Sequence, residues 1–235
     1  MGDFTPIKRK ALSLFESWAN GKGILLFAAL ELAFNLFILP AMAPKTGLAA
    51  QAPLFDVKLW YTPQEIGRAL MLFTPAQRRA AAIGHLTLDV LYPLVYGTLF
   101  SLLLILLHRP FSTAERYRRL LALPWLAVLA DYGENILLAA LFLAYPARLP
   151  ALERLAPLFT ALKWTLVSLT LLAVTWGLLR VLLSRPVQGR SAVKGWHKVA
   201  AGLGLALLLL LVLALAWAYL AAVHTLLLLP KEDGR

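Results

Sequence analysis

The chain has 235 residues, 60% of them hydrophobic and 15% charged, with a mean hydropathy of +0.73. A soluble domain carries about 45–50% apolar and about 25% charged residues, so the expected solvent, and the first expected partner, is a lipid bilayer. The net charge of +11 gathers at the ends of apolar runs, where Lys and Arg meet anionic headgroups rather than forming a nucleic-acid surface, and the absence of cysteine excludes disulfides, thiolate metal sites and cysteine nucleophiles.

The pattern predicts an all-α polytopic membrane bundle, one membrane domain over residues 1–235, with five spans. At the N-terminus Ile7, Ala11, Leu14, Phe15 and Trp18 share one helical face opposite Lys8, Lys10 and Glu16, which predicts a short amphipathic helix at the interface. Asn20-Gly21-Lys22-Gly23 then breaks the chain. The first span is expected over 23–43; Ala41-Met42-Ala43 resembles a signal-peptide cleavage site, but the apolar run is too long for a signal core and reads as an uncleaved span. Thr62-Pro63-Gln64-Glu65 and Thr74-Pro75-Ala76-Gln77 are capping boxes with proline in the first turn. One predicts a short extracytoplasmic helix, the other a second spanning helix that begins outside the bilayer and crosses it over 82–107. Ser112 to Glu115 repeats the box ahead of a third span over 120–145, and a fourth and a fifth follow over 155–183 and 199–229. Trp196 and His197 read as interfacial anchors, and Gly202 and Ala206 as a small-residue contact face.

Lys8, Arg9, Lys10 and Lys22, then Arg109, Arg116, Arg118 and Arg119, then Arg185, Arg190, Lys194 and Lys198 mark three segments as cytoplasmic. The expected location is therefore a bacterial plasma membrane, with the N-terminus cytoplasmic and the C-terminus extracytoplasmic. No internal repeat of the kind found in many carriers is visible.

Ionisable side chains inside the hydrocarbon each cost at least about 2.5 kcal/mol, so they select the candidate site. The first span holds Glu31 and Asn35, the second His85, Asp89, Tyr92 and Tyr96, the third Asp131, Tyr132, Glu134 and Asn135, the fourth Lys163, Trp164 and Ser168, and the fifth His224. His85, Asp89, Tyr92 and Tyr96 follow one another at intervals of four, three and four residues and so form one stripe facing protein. At about 1.5 Å per residue, Asp89, Lys163, Glu134, Tyr96, Asp131 and Glu31 fall about 10 to 20 Å deep, which places one cluster in the outer half of the membrane. Pro93 is expected to kink the second helix and free a carbonyl beside that cluster. Lys163 is expected to pair with Asp89 or Glu134.

Three acids with one nearby lysine leave buried negative charge that a proton, a cation or a cationic ligand must neutralise. The favoured function is binding or transport of a small ligand, ion or proton at His85, Asp89, Tyr92, Tyr96, Asp131, Glu134, Asn135, Lys163 and Glu31. One alternative is a metal-dependent intramembrane enzyme acting on a lipid-like substrate, with His85, Asp89, Asp131 and Glu134 as candidate ligands. Another is a structural or accessory subunit, in which polar groups act only as interhelical hydrogen bonds worth about 0.6 kcal/mol. The sequence assigns no cofactor; five spans without a repeat is small for a carrier, which makes a homo-oligomer one expectation.

Leu88-Asp89-Val90-Leu91-Tyr92-Pro93-Leu94-Val95-Tyr96-Gly97 and Asp131-Tyr132-Gly133-Glu134-Asn135 resemble motifs in adjacent spans of a family of uncharacterised bacterial multi-pass membrane proteins. The likeness covers the second and third spans and the helix preceding them. It departs at Arg78-Arg79-Ala80, where the family pattern has Gly-Arg and a nearby tyrosine. The resemblance implies no activity; it points to Asp89, Tyr96, Asp131, Glu134 and Asn135.

Overall fold

The computed structural model describes residues 13–41, 58–111 and 118–183, together with Gly202. A short helix over 13–18 is followed by Asn20, whose side-chain oxygen accepts from the Lys22 and Gly23 amides at 3.0 and 3.1 Å and so starts the next helix. That helix, α1, runs Gly21–Ala41 with a π-helical turn at Phe34–Ile38. Helix α2 is Pro63–Leu72, α3 is Pro75–His108, α4 is Ala122–Ala144 and α5 is Pro150–Leu183.

Four of these helices, α1, α3, α4 with its preceding turn from Arg118, and α5, are long and apolar enough to cross a membrane. Among the described residues there is no strand, and the four apolar helices form a helical bundle compatible with a membrane. The expected fifth span over 199–229 apart from Gly202, its His224, the Ser112 to Glu115 box and most of the N-terminal amphipathic segment lie outside the described residues. The chain separates into two compact units, Met1–Gly177 and Leu178–Arg235, and everything that follows concerns the first.

Both capping boxes form. Thr62 accepts from the Glu65 amide while the Glu65 carboxylate returns to the Thr62 amide at 2.7 Å, and Thr74 and Gln77 repeat the exchange at the start of α3. Arg78 donates to the Leu70 and Phe73 carbonyls and lies over the Tyr145 ring, closing the turn between α2 and α3.

Helices α3 and α4 form the central pair. Two thirds of the most apolar stretch of α3 is buried, 67%, against 11% for α1; the exposed Leu25, Leu26, Leu30, Leu36 and Phe37 of α1 present the kind of surface a bilayer solvates. Gly97 sets the approach of the central pair, since a Cβ there would stand 2.6 Å from Val128 Cγ2. Gly133 does the same toward α5, where a Cβ would lie 2.3 Å from the Phe159 ring. Helix α2 closes one end of the bundle. Its Ile66, Ala69 and Leu70, with Tyr61 and Phe73 on either side, pack with Ala81 and Ala82 of α3, Leu138, Leu141 and Phe142 of α4 and Ala156 of α5.

Candidate functional site

The polar centre sits one layer beneath that apolar lid. The α3 stripe meets α4 as its spacing predicts. Tyr96 donates to Asp131 Oδ2 at 3.0 Å, and His85 Nδ1 lies 2.9 Å from Asp89 Oδ2 and 3.1 Å from Asn135 Oδ1. Asn135 Nδ2 in turn donates to Asp131 Oδ1 at 3.2 Å and to the Asp89 backbone carbonyl at 3.1 Å. Both partners of Nδ2 are acceptors, which fixes the amide so that Oδ1 faces the imidazole, and His85 therefore carries a hydrogen on Nδ1.

The Asp89 carbonyl is the one Pro93, four residues on, cannot satisfy. Pro93 lies buried inside an unbroken α3. Asn135 occupies the freed acceptor, and Tyr132 donates to the neighbouring Val90 carbonyl at 2.9 Å. The proline and the Asp-Tyr-Gly-Glu-Asn motif are thus two halves of one arrangement, a backbone acceptor on α3 and its donors on α4.

From α5, Lys163 Nζ reaches Glu134 Oε2 at 2.6 Å and Asp131 Oδ1 at 3.7 Å. The ammonium thus bridges the two acids of α4: of its two expected partners it takes Glu134, Asp131 is added, and Asp89 takes His85. Glu134 is fully buried, and Asp131, Lys163 and His85 are each 6% exposed. Glu134 Oε1 takes Thr160 Oγ1 at 2.5 Å and the Tyr61 hydroxyl at 3.5 Å, and Thr160 and Tyr61 are 3.0 Å apart. Tyr61 and Thr160 were not among the sequence candidates. Thr160 stands three residues before Lys163, a helical spacing that contained a signal. Tyr61 precedes a capping box outside any span, where nothing local marks it as reaching into the bundle.

Glu31 and Tyr92 form a neighbouring group on α1 and α3. Tyr92 donates to Glu31 Oε1 at 2.9 Å, and Asn35 Nδ2 reaches the same oxygen at 3.1 Å. The Tyr92 and Tyr96 rings pack edge to face with centroids 5.6 Å apart, so the two groups adjoin.

Electrostatically, three carboxylates, Asp89, Asp131 and Glu134, share one lysine and one histidine. Even with His85 protonated, acids outnumber cations by one. Both oxygens of Asp131 face donors, and so do both of Glu134, the pattern of ionised carboxylates. No group of three His, Asp or Glu side chains among the described residues is arranged to hold a metal ion, and Lys163 stands between Asp131 and Glu134. On another face of α5 a groove of about 370 Å³ is lined by Leu59, Ala161, Trp164, Thr165, Ser168 and Leu169. The Trp164 indole N–H is buried there without a hydrogen-bond acceptor, and its ring lies 5.8 Å from Lys163 Nζ.

No protein-family model matches the chain, nor does any functionally described protein or solved structure.

Proposed function

We propose that the protein is a small membrane carrier or binding protein whose buried Asp131–Glu134–Lys163 centre takes up a proton, or a small cationic ligand, in step with transport. One observation carries the reading: two acids on consecutive turns of α4 share a single ammonium, at 2.6 and 3.7 Å, beside an Asp89–His85 pair. A purely structural strut needs one acid per lysine, and the surplus carboxylate makes the centre responsive to protonation.

The reading places the chain in a bacterial plasma membrane with five spans, N-terminus cytoplasmic and C-terminus extracytoplasmic, α2 lying on the outer side. Its support is the Lys and Arg distribution and the resemblance to bacterial multi-pass proteins. A metal-dependent enzyme has weaker support, since the acids converge on Lys163 rather than on a shared three-donor pocket.

The test is proton flux in proteoliposomes containing the full chain, wild type against Asp131→Asn and Glu134→Gln, with insertion checked by protease protection. Each variant is expected to lose most of the pH-gradient-dependent flux while inserting normally. Wild-type flux no greater than that of empty liposomes, or unchanged flux in both variants, would remove the carrier reading. Variants as stable as the parent, or more so, with flux retained would leave an accessory, structural role.

A further inference from the structure

The carboxyl of Glu31 is separate from the Lys163 centre and has no comparable partner. It lies midway along α1, ten residues from Gly21 and ten from Ala41, so about 15 Å from either end of the helix. Oε1 receives both Tyr92 and Asn35. Oε2 is enclosed and has no hydrogen-bond partner, and among the described residues no Lys, Arg or His pairs with this side chain. The titratable group facing it from α3 is Tyr92, with Tyr96 and then Asp131 behind; none of these supplies positive charge. Asn35, which completes the group, is exposed on the outer face of α1 and lies within the π-helical turn. Such turns frequently mark functional positions in helices.

An ionised carboxylate in this setting carries an uncompensated charge at the middle of a span, whereas a neutral acid needs only a carbonyl acceptor on one oxygen and a hydrogen on the other. The observed asymmetry matches the neutral acid: Oε1 collects two donors and Oε2 none. We propose that Glu31 is a second, reversible proton site, with the proton on the enclosed Oε2, approached from the lipid phase past the exposed Asn35. Protonation forms the O–H bond with a proton that originates in the aqueous phase and cancels the carboxylate charge; nothing else changes covalently. This site goes beyond the Asp131–Glu134 reading and stands independently of it.

A lipid-soluble carbodiimide reacts with protonated carboxyls reached through the bilayer, so the full chain in lipid nanodiscs is treated with dicyclohexylcarbodiimide over a range of pH. Labelling is mapped by peptide mass spectrometry, with and without added sodium chloride. The expected result is modification at Glu31, absent in Glu31→Gln and present in Asp131→Asn. Its rate should fall about tenfold per pH unit once the acid ionises, with no effect of sodium. Failure to label Glu31 at any pH, or labelling independent of pH, overturns the proposal. Protection by sodium overturns it as well, in favour of a metal-cation site at the same oxygens. Because wild-type labelling is read directly, the outcome does not depend on how well the Gln variant folds.

Discussion

Replacing Lys163 with methionine keeps much of the side-chain volume and removes the ammonium from between Asp131 and Glu134. At an effective dielectric of about 20, separations of 2.6 and 3.7 Å correspond to about 6 and about 4.5 kcal/mol of attraction. The desolvation of all three ions consumes much of this, but removal of one partner leaves the others buried and uncompensated, so the net loss is expected at about 3–5 kcal/mol. The sign with pH follows from the acids left behind. They can be neutralised only by binding protons, so Lys163→Met should be most destabilised at alkaline pH and recover as pH falls. The assay is denaturant unfolding in mixed micelles at several pH values, for wild type, Lys163→Met, Glu134→Gln and the double variant. The double variant should recover well over half of the loss, because the neutral amide no longer requires a counter-ion. A loss under about 1 kcal/mol that does not vary with pH, or a double variant no better than the sum of its parts, would refute the argument that Lys163 compensates buried charge.

Two further expectations rest on packing and on the capping box. Gly97→Ala places a methyl 2.6 Å from Val128 Cγ2 at the closest approach of α3 and α4; forced separation should cost about 1–3 kcal/mol, read by thermal unfolding, and an unchanged midpoint would mean that the central pair has slack. Glu65 accepts from Lys58 and from Thr62, which hold its carboxyl down from 4.5 to about 2. A depressed acid contributes stability that is full above about 4.5 and is lost as pH falls toward 2. Hydrogen exchange at the start of α2 should therefore quicken over that interval in the wild type and lose this pH dependence in Glu65→Gln.

Four of the expected helices, and several residues of the polar cluster, followed from the sequence because their cause is local. A span must exclude charge over about 20 residues, and a charge that persists inside one must face protein. That reasoning selected His85, Asp89 and Tyr96 on one stripe and Asp131, Glu134 and Asn135 on the next helix, and the contacts join them. The Pro93 prediction belongs to the same class, since an amide missing from α3 must free the carbonyl four residues back whatever surrounds it.

Partner choice did not follow. Spacing ranks residues along one helix but leaves undetermined how far α5 turns about its axis and how far it slides against α4. Those two quantities decide that Lys163 bridges Glu134 and Asp131 rather than reaching Asp89, which pairs with His85 one turn back on its own helix. The close contact at Gly133, where the missing side chain admits Phe159 of α5, bears on both, and the lid of α2 adds Tyr61, carried down onto Glu134 from a segment with no membrane signature. The chain alone determined most of the charged groups that are buried, though it missed the uncharged Tyr61 and Thr160. Only the tertiary packing decided which of them meet, because hydrogen bonds and ion pairs depend on fractions of an ångström that arise from the fit between helices.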